Sequence, residues 1–322
     1  MRAAYRWIAG HPSVSIVVFF ALLPFVVPYT ALATQVLVYG LFALGFNLLY
    51  GYTGLLSFGH AAYFGLGAYG AGITLAKLGW HSVWVALAIG VAAAGVGGAI
   101  VGFFALRRRG IYFAMLTLAF AQLFYFIAFH LADVTGGDDG LRGIPQLSLG
   151  LFGWTIPLGN PINFHYFALF WVGLAVFALQ RILESPFGAV LAAIRENGDR
   201  AQACGYDVVR IKLVSFVFSA LFTGLAGALD ALRITVVPVE ALYWSTSGQA
   251  VIMTLLGGAG TFFGPFVGAG TYLILQDRLS LFIEAWPLVI GVLFMIFVLF
   301  LPQGIWGTLL ARLGARRGTQ AV

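Results

Sequence analysis

The chain has 322 residues, of which 61% are hydrophobic and 9% charged, and its mean hydropathy is +0.98. So few charges cannot coat a water-soluble globule, and the composition also excludes a disordered chain, a coiled coil and a secreted disulfide scaffold. The net charge of +6 sits in short basic loops, which points to membrane topology and anionic lipid rather than nucleic acid.

A helix needs about 20 mostly apolar residues to cross a bilayer. Candidate spans run at 13–30, 32–50, 56–76, 82–105, 111–132, 164–183 and 213–235. An apolar tract at 248–301 follows, interrupted by glycines and by Asp277, Arg278 and Glu284. The first stretch also fits a signal peptide: Arg2 and Arg6 precede an apolar core from Val14 to Val27, and Ala31-Leu32-Ala33 resembles a cleavage site. Cleavage there would leave the later spans unchanged.

The second and third spans flank Gly51-Tyr-Thr-Gly-Leu-Leu-Ser-Phe-Gly-His60-Ala-Ala-Tyr-Phe-Gly-Leu-Gly-Ala-Tyr-Gly70. Glycine at this density weakens a plain lipid-facing helix by about 1 kcal/mol per position relative to alanine. It suits either close helix packing or broken helices that line a pathway. His60 is the one histidine inside an apolar span; His11, His81, His130 and His165 lie near span ends. Asn47, Ser57, Thr117, Gln122, Ser247 and Gln249 are further polar groups in apolar surroundings. Such groups at depth are costly and often line a pathway, but a histidine bonded to a neighbouring helix is an equally good reading. None pairs with a carboxylate at ligand spacing, so no metal site is expected.

Basic residues set the orientation. Arg107, Arg108 and Arg109 follow the fourth span, and Arg181, Arg195, Arg200, Arg210 and Lys212 mark the 184–212 loop. The 133–163 loop carries Asp133, Asp138 and Asp139 against Arg142 alone. Positive loops stay in the cytoplasm, so 184–212 is expected inside and 133–163 outside. Arg312, Arg316 and Arg317 close the chain. Keeping them inside requires the last tract to break at Gly257-Gly258-Ala259-Gly260 into crossings at 248–259 and 262–279, followed by 283–301. Gly257, Gly258, Gly260 and Gly264 are then broken-helix residues, and irregular backbone at depth needs the shelter of protein or a cavity. The expected fold is an all-α polytopic membrane bundle of about ten crossings, some short or broken, in a single domain over 1–322, with both termini cytoplasmic.

The 184–212 loop reads as two small amphipathic helices at the membrane surface. Ser185 is a good cap and Pro186 a good first helical residue. Asn197-Gly198 breaks the first helix, and Gly205 suits the end of the second. A connector this long is usually functional.

Its Ala-Ile-Arg-Glu-Asn sequence, ending at Asn197, with the later Gly205-Tyr206, resembles the coupling loop of permease subunits in bacterial branched-chain amino acid ABC importers. The Gly51–Gly70 stretch, Arg109-Gly-Ile-Tyr-Phe-Ala-Met-Leu-Thr-Leu-Ala-Phe-Ala-Gln122, Thr135-Gly-Gly-Asp-Asp-Gly-Leu141 and Gly257–Gly270 fit the same family in order. The chain looks like the LivM-type subunit, one of two different permeases in such importers. The resemblance implies a type II-like permease fold and an inner-membrane location. It also implies a second permease, two cytoplasmic ATPases and a periplasmic binding protein as partners. Arg195, Glu196, Asn197 and Gly205 would sit in the coupling element. Gly198 and Cys204 depart from the family's helix-compatible and aliphatic residues, which loosens that helix. No G-x-x-x-x-G-K-[S/T] is present, so the chain is expected to bind no cofactor, and ATP with magnesium would sit in the partner ATPases. The cargo expected is a branched-chain or other neutral amino acid; urea, short amides or small organic acids would use the same mechanism. A self-sufficient secondary transporter or channel would want a mid-span carboxylate, whereas Asp230, Asp277 and Glu284 lie near span ends.

Overall fold

The computed structural model describes residues 12–26, 29–80, 82–145, 148–151, 154–282 and 284–318. Every expected span is a helix: α1 (Pro12–Val26), α2 (Thr30–Asn47), α3 (His60–Ala76), α4 (Val83–Ala105) and α5 (Ile111–His130). The loop after α5 holds the short α6 (Ala132–Thr135) and a hairpin of β1 (Ser148–Leu151) and β2 (Trp154–Pro157), antiparallel with Ser148 opposite Pro157. Then come α7 (Pro161–Glu184), α8 (Pro186–Glu196), α9 (Gly198–Ala203) and α10 (Val208–Ile234). The chain closes with α11 (Trp244–Gly257), α12 (Gly264–Ser280), α13 (Trp286–Phe300) and α14 (Gly304–Gly318). His11, His81, Arg2 and Arg6 lie outside the described residues.

Among the described residues six stretches are long and apolar enough to cross a membrane: Thr30–Tyr52, Val83–Ala105, Ile111–His130, Pro161–Glu184, Val208–Ile234 and Trp286–Arg312. The others are shorter. At 1.5 Å per residue the 14 residues of α11 reach about 21 Å, less than a hydrocarbon core of about 30 Å. α11 is sheltered by α12, α2 and α3, which pack along it. The tract the sequence breaks at 257–260 is thus a hairpin of two short helices.

α2 is the most enclosed span and α13 the barest. Around α2 lie α10, α12, α7 and α11. α3, α4 and α10 form the tightest group, and glycines allow it. A methyl group on Gly67 would overlap the Gly224 backbone, and one on Gly227 would overlap the Phe64 carbonyl. In lipid, where burial gives no hydrophobic gain between helices, such close backbone packing supplies the association.

The loops gather at two ends. At one, Arg109 meets Asp199 at 3.4 Å, Arg195 reaches Gly51, and Gly304 packs on Gly258. At the other, Leu141 and Val237 exchange both backbone hydrogen bonds at 2.9 Å. Thr135 ties that second end by donating to the Ala128 and Leu131 carbonyls. The basic loops 107–109 and 184–212 therefore share one end, and the acidic 133–139 stretch sits at the opposite one.

Candidate functional site

Within the 184–212 loop, Pro186 opens α8 as expected. The Ser185 hydroxyl does not cap it; it donates back to the Ile182 carbonyl at 2.6 Å. Asn197 does cap α9, its Oδ1 accepting from Arg200 N–H at 2.9 Å. Gly198 is the first residue of α9, so the departure from the family pattern falls where glycine costs least. Gly205 sits at φ +92° just past the end of α9, a conformation that suits glycine.

α8 buries Leu191 and Ile194 against the bundle. Arg195 is four residues after Leu191, so it lies over the same face. Its guanidinium Nη1 donates to the Gly51 carbonyl. Gly51 lies in the π-helical turn Leu48–Tyr52 that continues α2; carbonyls at a helix end are short of intrahelical partners and favour a cation. Glu196, one residue on, is exposed, as is Arg195 itself. Arg195 reaches back to bond Gly51, whereas Glu196 projects about 100° further round the helix.

The 258–263 turn lies beside them. Gly258 and Gly260 adopt φ +119° and +77°. Gly257 packs so closely on Gly264 that a methyl group on either would clash with backbone. Thr261 Oγ1 donates to the Gly258 carbonyl at 2.7 Å and accepts from Gly264 N–H at 3.1 Å, which opens α12. Asn47 holds this turn from α2. Its Oδ1 accepts from Gly260 N–H at 2.8 Å and its Nδ2 donates to the Thr261 carbonyl at 2.9 Å.

The other polar candidates are mostly enclosed. His60 and Ser219 are buried and 2.8 Å apart. Thr117 accepts from Phe58 N–H at 3.1 Å and donates to the Ala114 carbonyl, so it braces the loop before α3. Ser57 accepts from Gly59 N–H within that same loop. Ser247 accepts from Ala61 N–H at 2.8 Å and joins α11 to α3. Gln122 and Gln249 are half-buried. Gln249 borders a cavity of about 200 Å³ with Asp230, Glu240 and Tyr39. Asp230 is paired with Arg233 through contacts of 2.8 and 2.9 Å. Among the described residues no three His, Cys, Asp or Glu side chains converge to hold a metal ion.

His165 lies near the start of α7, as expected, and is fully buried. Its Nε2 donates to the Phe20 carbonyl at 3.0 Å and its Nδ1 lies 3.0 Å from Thr34 Oγ1, joining α1, α2 and α7. Its partners are 145 and 131 residues away, and no local signal in the sequence marks them. The basic helix α14 was also unforeseen; it folds back so that Trp306 lies 5.1 Å from the Phe263 ring.

Residues 29–300 match the family model described as branched-chain amino acid transport system, permease component. The high-affinity branched-chain amino acid transport system permease protein LivM of Escherichia coli is 30% identical over 316 residues, covering 90% of this chain and 73% of that protein. LivH of the same organism is 26% identical over 290 residues, 84% of this chain and 91% of its own length. The L-arabinose ABC transporter permease protein AraH of Azospirillum brasilense is 30% identical over 207 residues, 62% of this chain and 58% of its own. No solved structure matches the chain. These relatives are transport permeases, not enzymes. With a family match over most of its length and a helical membrane bundle to carry it, the chain belongs to the permease components of branched-chain amino acid transport systems.

Proposed function

We propose that the chain is one of two different permease subunits of an ATP-driven importer in a bacterial inner membrane. It forms part of the route for branched-chain or other neutral amino acids handed over by a periplasmic binding protein. Two separate ATPases bind the cytoplasmic face of the permease pair and hold the ATP and magnesium, and one of them docks on the 184–212 loop. The single observation that carries this reading is the arrangement of α8. One face of that helix is sunk into the bundle through Leu191 and Ile194, and the other presents Glu196 outward. A loop that only lay on lipid would turn its apolar face away from the protein.

The basic loops at the Arg195 end support a cytoplasmic placement for that end, for the 184–212 loop and for both termini. The 133–163 loop then faces the periplasm and the binding protein. Arg195, Glu196, Asn197 and Gly205 belong to the coupling element, and the whole of 1–322 works as one permease domain. Gln122 and Gln249, the polar candidates that are not enclosed, are the pathway residues we favour. A second cargo class rests on the likeness to a permease named for L-arabinose, which argues that this kind of chain does not itself fix the cargo. Affinity purification of the tagged chain from its native membranes in mild detergent tests the assembly. Recovery of two P-loop ATPases and a second permease is expected. Recovery of the chain alone, under conditions that preserve a known importer, overturns the reading.

A further inference from the structure

Three contacts form a continuous chain at the Arg195 end. Arg195 on α8 donates to the Gly51 carbonyl at the end of α2. Gly51 packs against the turn between α11 and α12 so tightly that a methyl group on it would overlap both Asn47 Oδ1 and the Gly260 backbone. Asn47, fully buried, commits both halves of its amide to Gly260 and Thr261. The guanidinium closes the circuit: a methyl group on Gly260 would come 3.1 Å from Arg195 Nη1. One arginine thus touches both glycine-rich segments, which lie some two hundred positions apart in the sequence.

Each part of this chain is stiff for a physical reason. Both amide functions of Asn47 are buried and paired, so moving the turn without α2 would leave polar groups unmatched at about 1–3 kcal/mol each. The Gly51–Gly260 contact leaves no side chain to deform. The Arg195 link differs. It lies at the surface and is a single charge-assisted bond to a helix end. It is the joint at which the loop can engage the bundle.

We infer that Arg195 is a positioning residue that carries the displacement of α8 through Gly51 and Asn47 to the 258–263 turn. The loop and the α11–α12 hairpin then move as one body during transport. This rests on the reading of α8 as the docking element for the ATPases, and it adds the route by which that element acts. Glu196, about 100° further round the helix, takes no part in the route.

The test uses the assembled transporter with Cys204→Ser, and spin labels at Ala192→Cys on α8 and Ala259→Cys in the turn. Pulsed distance measurements are made without nucleotide and with a non-hydrolysable ATP analogue. With Arg195 present, the distance distribution is expected to stay the same in both states. Arg195→Met is expected to split it on nucleotide binding and to abolish stimulation of ATP hydrolysis by the loaded binding protein. Arg195→Lys, which keeps a donor in reach, retains the single distribution. Asn47→Ser splits it from outside the loop, which a purely local role for Arg195 would not produce. If Arg195→Met fails to assemble, Arg195→Gln replaces it, keeping polarity but falling short of Gly51. Identical distributions in the parent and in the Arg195 variants overturn the inference, as does a nucleotide-dependent change in the parent. Absence of ATPases from the purified assembly overturns the underlying reading instead, and subunit composition separates the two failures.

Discussion

Ser219 Oγ lies 2.8 Å from His60 Nε2 and 2.7 Å from the Gly45 carbonyl. A carbonyl only accepts, so the hydroxyl proton points to Gly45 and the imidazole proton sits on Nε2. The three residues fasten α3, α10 and α2 together, and Phe46 and Tyr63 pack edge-on to the imidazole at 5.0 and 5.7 Å. His60 therefore works as a pin between helices. Ser219→Ala is expected to lower stability by about 1–3 kcal/mol. The readout is a lower unfolding midpoint in detergent with cargo selectivity unchanged. An unchanged midpoint with altered selectivity would put His60 in the pathway.

The close packing of α3 on α10 gives a second expectation. Gly67→Ala forces a methyl group into the Gly224 backbone and is expected to cost about 1–3 kcal/mol or more, because backbone cannot give way as a side chain can. Gly291 on the bare α13 meets nothing within 4 Å, so Gly291→Ala is expected to be neutral. Comparing the yields of folded protein in the two variants checks this, and equal yields would contradict it.

The Asp230–Arg233 pair is largely out of water, with side-chain exposures of 9% and 19%. Removing one partner strands the other charge. Arg233→Met is expected to destabilise by about 3–5 kcal/mol, and adding Asp230→Asn is expected to recover a large part of that. A double-mutant cycle on unfolding midpoints reads the coupling. Additive effects would show that the two charges act independently. The same pairing weakens any role for Asp230 as an ion-coupling carboxylate.

Topology can be read with the native thiol. Cys204 is exposed within the 184–212 loop. A membrane-impermeant maleimide is expected to reach it only in inverted vesicles. In a Cys204→Ser background, Asp138→Cys is expected to react only in right-side-out vesicles. Labelling of both from one side would break the alternation of loops between the two ends.

The sequence carried most of the fold because hydropathy and charge bias are local signals. Even the break at 257–260 was readable, since three basic residues at the tail demanded one more crossing. The start of α3 is less clear: the apolar run begins near Leu56, but Ser57 and Gly59 form a loop that Thr117 braces from another helix. What stayed hidden was long-range. Asn47 is polar and sits in an apolar span, which flagged it for a pathway, and nothing nearby betrays that its partners are Gly260 and Thr261. His165 was placed at a span end by position alone, and its burial depends on α1 and α2 folding over it. α14 opens at Gly304, at φ +70°, directly after the last apolar span, and nothing in the hydropathy pattern separates the two.

The most direct test of the account is uptake into sealed vesicles that contain this chain, its co-purified permease and ATPases, and the binding protein. Radiolabelled leucine is the first cargo to try, followed by other neutral amino acids. The account predicts accumulation that requires ATP and the binding protein together, and none with this chain alone. Accumulation by the chain alone without ATP would contradict it.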